Sequence, residues 1–218
     1  QHGQQNRIFT LEKTRRITCG EKKEIFDNVK SMMSYQIGNV VLNNTDNILI
    51  SVLIGTITVG YYSNYNLITT AVNSFAILIF SSIQASIGNL IASGEEEKIY
   101  PVFKSISYLG YWIFGFCAIS IFVLSNDFIC LFFGQNYEFS TRILSVIVFN
   151  FYVFGSLYPI YCYRNTIGLF KQTKYIMLFT SVANLILSVI MGKSWGLFGI
   201  LIATGISRII TNWWYEPF

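Results

Sequence analysis

Apolar residues run through this chain in blocks of about 20, the length a helix needs to cross a bilayer. The blocks predict six spans, at about 34–59, 63–92, 104–125, 140–163, 174–192 and 195–213. Between them lie GYYS, SGEEEKIYPVFK, SNDFICLFFGQNYE, RNTIGLFKQTK and GKSWG. Pro159 is expected to kink the fourth span near its end. Residues 1–33 are polar and charged and contain no apolar core of the kind a signal peptide carries. Within them Ile25, Phe26, Val29, Met32 and Met33 share one helix face, and Lys22, Lys23, Glu24, Asp27 and Lys30 cover the rest. This pattern predicts an amphipathic helix at about 22–33, either lying on the cytoplasmic membrane surface or extending the first span.

Composition agrees with a membrane protein. Only 12% of residues are charged, about half the share of a soluble domain, and mean hydropathy is +0.49. The fold class expected is an all-α membrane protein, a six-helix bundle over 34–214 with a short cytoplasmic end at 215–218. If the chain starts inside, all of its fifteen Lys and Arg except Arg142 and Lys193 fall on the cytoplasmic side. Both ends are therefore expected in the cytoplasm, and the net charge of +4 reflects topology, with no nucleic-acid partner implied. The first residue is Gln1 and the chain stops at Phe218, which reads as a fragment of a longer protein.

Catalytic chemistry is not apparent. Cys19, Cys117, Cys130 and Cys162 form no close pair, and His2 is the single histidine, so neither a zinc site nor a Ser-His or Cys-His pair is expected. There is no glycine-rich phosphate loop and no pair of carboxylates spaced for acid–base work, so the chain is not expected to be an enzyme or an ATP-driven motor. Glu95, Glu96 and Glu97 read as a solvated loop. The sequon at Asn43-Asn44-Thr45 lies at membrane depth and is set aside.

The informative residues are polar ones inside the spans. Gln36, Asn39, Asn43, Asp46 and Asn47 recur at spacings of three and four and put a polar stripe on the first span. The second span adds Asn66, Thr70, Asn73, Ser81 and Gln84, the fifth Ser181, Asn184 and Ser188, and the last Thr204, Ser207, Arg208 and Thr211. Such residues serve either as interhelical hydrogen bonds or as the wall of a water-filled cavity. A full-length stripe with an acid at mid-depth favours the cavity, because a buried carboxylate costs at least a few kcal/mol against lipid. The candidate lining residues are Asp46, Asn43, Asn47, Asn73, Gln84 and Arg208. Asp46 is expected either to couple a proton or sodium ion or to pair with Arg208. Gly199, Ala203 and Ser207, spaced by four, predict a close helix-packing seam.

Four segments also carry a family resemblance: NVVLNNTDNILISVLIGTITVGYYSNYNLI at 39–68, SIQASIGNLIASGEEEK at 82–98, LFFGQNYE at 131–138 and GLFGILIATGISRIITNWWYEPF at 196–218. They resemble the second half of polysaccharide flippases of the Wzx type, in the superfamily that also holds multidrug exporters of the MATE kind and lipid II flippases. The resemblance implies two six-helix bundles around a central cavity, of which this chain is the second, with the first half of the protein as its partner. It implies a multi-pass protein of the bacterial plasma membrane, no bound cofactor, and an ion gradient as energy source. The implied substrate is an undecaprenyl-diphosphate-linked oligosaccharide, handed on to polysaccharide polymerase machinery. Cavities in that family are often cationic; here the matching positions offer Arg208, with Arg142 and Arg164, beside an acid. A drug or cation antiporter of the same superfamily and a non-transporting membrane scaffold are the alternatives.

Overall fold

The computed structural model describes residues 19–94, 96–168 and 170–213. They form five long helices: α1 (Cys19–Leu53), α2 (Thr56–Ala92), α3 (Glu96–Phe133), α4 (Thr141–Ile167) and α5 (Phe170–Arg208). A single 3₁₀ turn, Gln135–Tyr137, lies between α3 and α4, a π-helical turn, Ile209–Trp213, follows α5, and no strand occurs among the described residues.

Among the described residues, four helical stretches are long and apolar enough to cross a membrane: Thr56–Ala92, Glu97–Phe133, Thr141–Ile167 and Tyr175–Thr211. The six spans read from the sequence are thus corrected to four on this measure, for two reasons. First, α1 is the least apolar helix, diluted by Gln36, Asn39, Asn43, Asn44, Asp46 and Asn47. It ends at Leu53, short of 59, and the chain turns through Gly55 at φ 134°, a conformation that suits glycine. Second, the segments at 174–192 and 195–213 fall in one helical stretch, which breaks at Gly196 with φ 60° and ψ −140°. The stretch folds back there. Thr180 Oγ1 lies 2.7 Å from Thr211 Oγ1, whereas 31 residues of straight helix would separate them by about 46 Å. We call the two limbs of α5 its first and second arms. Gly199 sits in the crook, where a Cβ would lie 2.0 Å from the Met191 carbonyl oxygen, and Ala203 is fully buried on the same seam.

Residues 22–33 form the opening turns of α1, continuous with the rest of that helix. Their apolar residues Ile25, Phe26, Val29 and Met33 are exposed. Residues 1–18 and 214–218 lie outside the described residues. Pro159 sits within α4, which runs on to Ile167.

Consecutive helices run antiparallel, which defines two ends. At the distal end are the α1–α2 turn, the 134–140 linker and the Gly196 reversal. At the proximal end are the start of α1, the α2–α3 turn and the α4–α5 turn. One distal core joins all five helices through Leu49 and Ile50, Tyr65, Ile129, Leu144 and Ile147, and Ile200 and Leu201. Towards the proximal end the packing divides. Phe80, Ile87, Phe114, Ile121 and Phe151 form a core among α2, α3 and α4. Tyr35, Leu42 and Met177 form a separate, smaller one between α1 and α5.

Candidate functional site

The site lies where the two proximal cores part. α1 and the second arm of α5 run antiparallel, so residues three apart on α1 meet residues four apart on α5. Asp46 meets Thr204, and one turn towards the proximal end Asn43 meets Arg208. The Thr204 hydroxyl donates to Asp46 Oδ1 at 2.8 Å, with Oδ2 at 3.1 Å. That same oxygen accepts from Asn184 Nδ2 of the first arm at 2.9 Å. Thr204 thereby links three helical limbs, and Asn184 is fully buried while Asp46 is 7% exposed. Arg208 Nη2 donates to Asn43 Oδ1 at 2.7 Å, and its guanidinium stands 5.1 Å from the Phe154 ring centre on α4.

Asp46 and Arg208 do not form the ion pair that their sequence positions suggested. The acid is engaged by the Thr204 hydroxyl and the cation by the Asn43 amide, one helical turn apart, so each charge keeps its own neutral partner. Both line one cavity of about 190 Å³ between α1, α2, α4 and α5. Its wall combines amides and hydroxyls (Asn43, Asn66, Thr69, Thr70, Asn73, Asn150, Thr204) with the rings of Tyr62, Phe151 and Phe154. Asn73 Oδ1, Asn150 Oδ1 and Arg208 Nε are buried without a protein hydrogen-bond partner. Buried polar atoms are nearly always satisfied, so these wall residues have bonding capacity left for a polar guest. The volume is below the roughly 300 Å³ at which drug-sized pockets begin, and suits one small polar group.

Of the six residues proposed from the sequence, the structure gathers Asn43, Asp46, Asn73 and Arg208 around this cavity. Asn47 is half-buried on α1 and Gln84 half-buried on α2, and neither is among the lining residues. Gln84 is eleven residues beyond Asn73, about 16 Å along the helix. Arg142 is at the distal end, over the Phe198 ring at 4.4 Å, and Arg164 is buried near the proximal end, so neither lines the cavity. Sequence reasoning passed over Tyr62, Asn150 and Phe154. Asn150 was detectable as the one amide in the apolar run VIVFNFYVFG; it donates through Nδ2 to the Leu201 carbonyl at 2.8 Å. Tyr62 and Phe154 carried no signal, since aromatic residues are common throughout the spans. No cluster of three or more His, Cys, Asp or Glu fit to hold a metal occurs among the described residues.

Comparison with models of known families, with curated proteins and with solved structures gives no match.

Proposed function

We propose that this chain is the second half of a lipid-linked oligosaccharide flippase, which moves undecaprenyl-diphosphate-linked repeat units across the bacterial plasma membrane by ion-coupled alternating access. The observation that carries the reading is the cavity: a polar, aromatic-lined chamber with one acid and one guanidinium, set among helices of membrane-crossing length. Amides and hydroxyls beside aromatic rings suit sugar hydroxyls and sugar faces, and a guanidinium suits a phosphate oxygen. In this reading α1 and both arms of α5 also cross the membrane. That gives six crossings with both ends in the cytoplasm, and the lost apolarity of α1 is the consequence of its facing water. Asn43, Asn73 and Asn150 contact the sugar and Arg208 the diphosphate. Asp46, relayed through Thr204 to Asn184, responds to the coupling proton or sodium ion. A cavity this small holds part of the substrate, and the other bundle of the transporter supplies the rest.

Expression of Asp46→Asn at wild-type membrane level in a strain lacking the native gene tests the proposal. Lipid-linked precursor is expected to accumulate in the inner leaflet while surface polymer falls at least tenfold. Unchanged surface polymer on deletion of the gene overturns the substrate. A carboxylate beside Tyr62, Phe151 and Phe154 also favours organic cations, which makes a drug or cation antiporter the second reading. In that case deletion lowers resistance to cationic dyes and leaves surface polymer intact.

A further inference from the structure

Between the two proximal cores, α4 reaches across to α1 through one buried cation. Arg164 is in the last turn of α4 and 5% exposed. Its guanidinium stands 4.3 Å from the ring centre of Tyr35 on α1 and 4.8 Å from that of Tyr161 on α4. It also donates through Nη2 to the Tyr35 hydroxyl. Tyr161 is 6.4 Å from Phe154, the ring that faces Arg208, so the cavity wall and this contact belong to one run of aromatic side chains on α4. On the far side of the cleft, α1 and α5 form a unit. Besides the Asp46–Thr204 and Asn43–Arg208 rungs, Gly38 packs on Met177, where a Cβ would stand 3.1 Å from the Met177 Cγ.

We propose that Arg164, held between Tyr35 and Tyr161, is a releasable latch that closes the proximal mouth of the cavity by holding the α1–α5 unit against α2–α3–α4. A latch needs a hinge and a parting surface, and the packing supplies both. The single distal core joins all five helices, whereas Tyr35, Leu42 and Met177 share no cluster with Phe80, Phe114 and Phe151. Opening at the proximal end therefore separates two cores without splitting either. Stacked guanidinium contacts are directional, and an arginine released from ring faces stays charged and solvates readily in a water-filled mouth. A continuous apolar seam at the same place would expose apolar surface on opening and resist it. The latch does not depend on what occupies the cavity.

The test is a distance measurement by electron paramagnetic resonance on the chain in lipid nanodiscs, with the four native cysteines replaced by alanine. Spin labels go at Met33 on α1 and Asn165 on α4, both exposed. A reference pair, Ser82 and Asn165, lies within the α2–α4 unit. Arg164→Gln is expected to raise the ratio of the long to the short Met33–Asn165 distance roughly tenfold, the scale of one buried cation–π contact with its hydrogen bond. Tyr35→Phe, which keeps the ring and removes the hydroxyl, is expected to shift it less, and the Ser82–Asn165 distance is expected to stay put in both. An unchanged Met33–Asn165 distribution overturns the latch, and so does an equal broadening of both pairs, which marks a purely structural contact. If Arg164→Gln fails to fold, Tyr35→Phe decides on the same two distances.

Discussion

The distal and proximal halves of this bundle are held by different forces. At the distal end Ile50, Ile129, Ile200 and Leu201 are buried to within 1% of full burial and interlock across five helices. At the proximal end two apolar cores stand apart beside a polar chamber: Asp46–Thr204 and Asn43–Arg208 tie α1 to α5, and Arg164–Tyr35 ties α4 to α1. Apolar packing is dense and yields little, so it fixes geometry. Polar rungs are strong only while both partners remain, and each can be exchanged for water or a guest. Stability is thus concentrated at one end of the molecule, and the capacity to bind and move at the other.

Substitutions at the two ends sharpen this contrast. The largest loss is expected at the distal reversal. Gly199→Val places side-chain atoms where a Cβ already meets the Met191 carbonyl oxygen at 2.0 Å, so the two arms must separate. A cost of about 3 kcal/mol or more is expected, seen as a collapse in folded yield by size-exclusion profile in detergent. Ile200→Ala, in the same core, is expected to lower unfolding stability by about 2–4 kcal/mol in a denaturant titration.

Thr204→Val crosses to the polar half. It leaves Asp46 without its donor and Asn184 without its acceptor, and is expected to cost about 1–3 kcal/mol in the same titration. Thr204→Ser, which restores the hydroxyl, is expected to recover most of that. A loss for Ser as large as that for Val would mean that the methyl group matters as much as the hydroxyl, and no loss for Val would mean that the hydroxyl does nothing. The smallest effect is expected at Tyr65→Phe. The Tyr65 hydroxyl donates to Asn126 Oδ1 at 2.7 Å and accepts from the Phe139 amide at 2.9 Å, while its ring stacks on Phe139 at 5.1 Å. Removing the oxygen keeps the stack and is expected to cost about 1 kcal/mol, read as faster hydrogen exchange at the Phe139 amide than at amides of the proximal half.

Much of this was legible in the chain. The apolar runs at 63–92 and 104–125 fall within α2 and α3, and that at 140–163 falls within α4 apart from Ser140, because side-chain hydrophobicity alone marks a segment that water excludes. The helices exceed the runs at their ends, since polar residues there are helical as well and periodicity cannot see them. On α1 the polar spacing identified Asn43 and Asp46 as neighbours on one stripe, and the structure sets both on the cavity wall. It did not separate Asn47, one residue further round the same helix. That distinction depends on where α2 and α5 stand.

By itself, then, the sequence determined which stretches become apolar helices, that one break falls within GKSWG, where Gly196 permits it, and that a carboxylate sits among amides in the distal part of α1; it put the first turn at GYYS, whereas the chain turns at Gly55. Those properties belong to single residues and to spacings within one helix. Only the tertiary structure decided that Asp46 meets Thr204 across 158 residues of chain and not Arg208, and that Asn150 and Phe154 complete the chamber. Those outcomes follow from the register between helices, which the packing of five helices at the distal end sets collectively and no local pattern encodes.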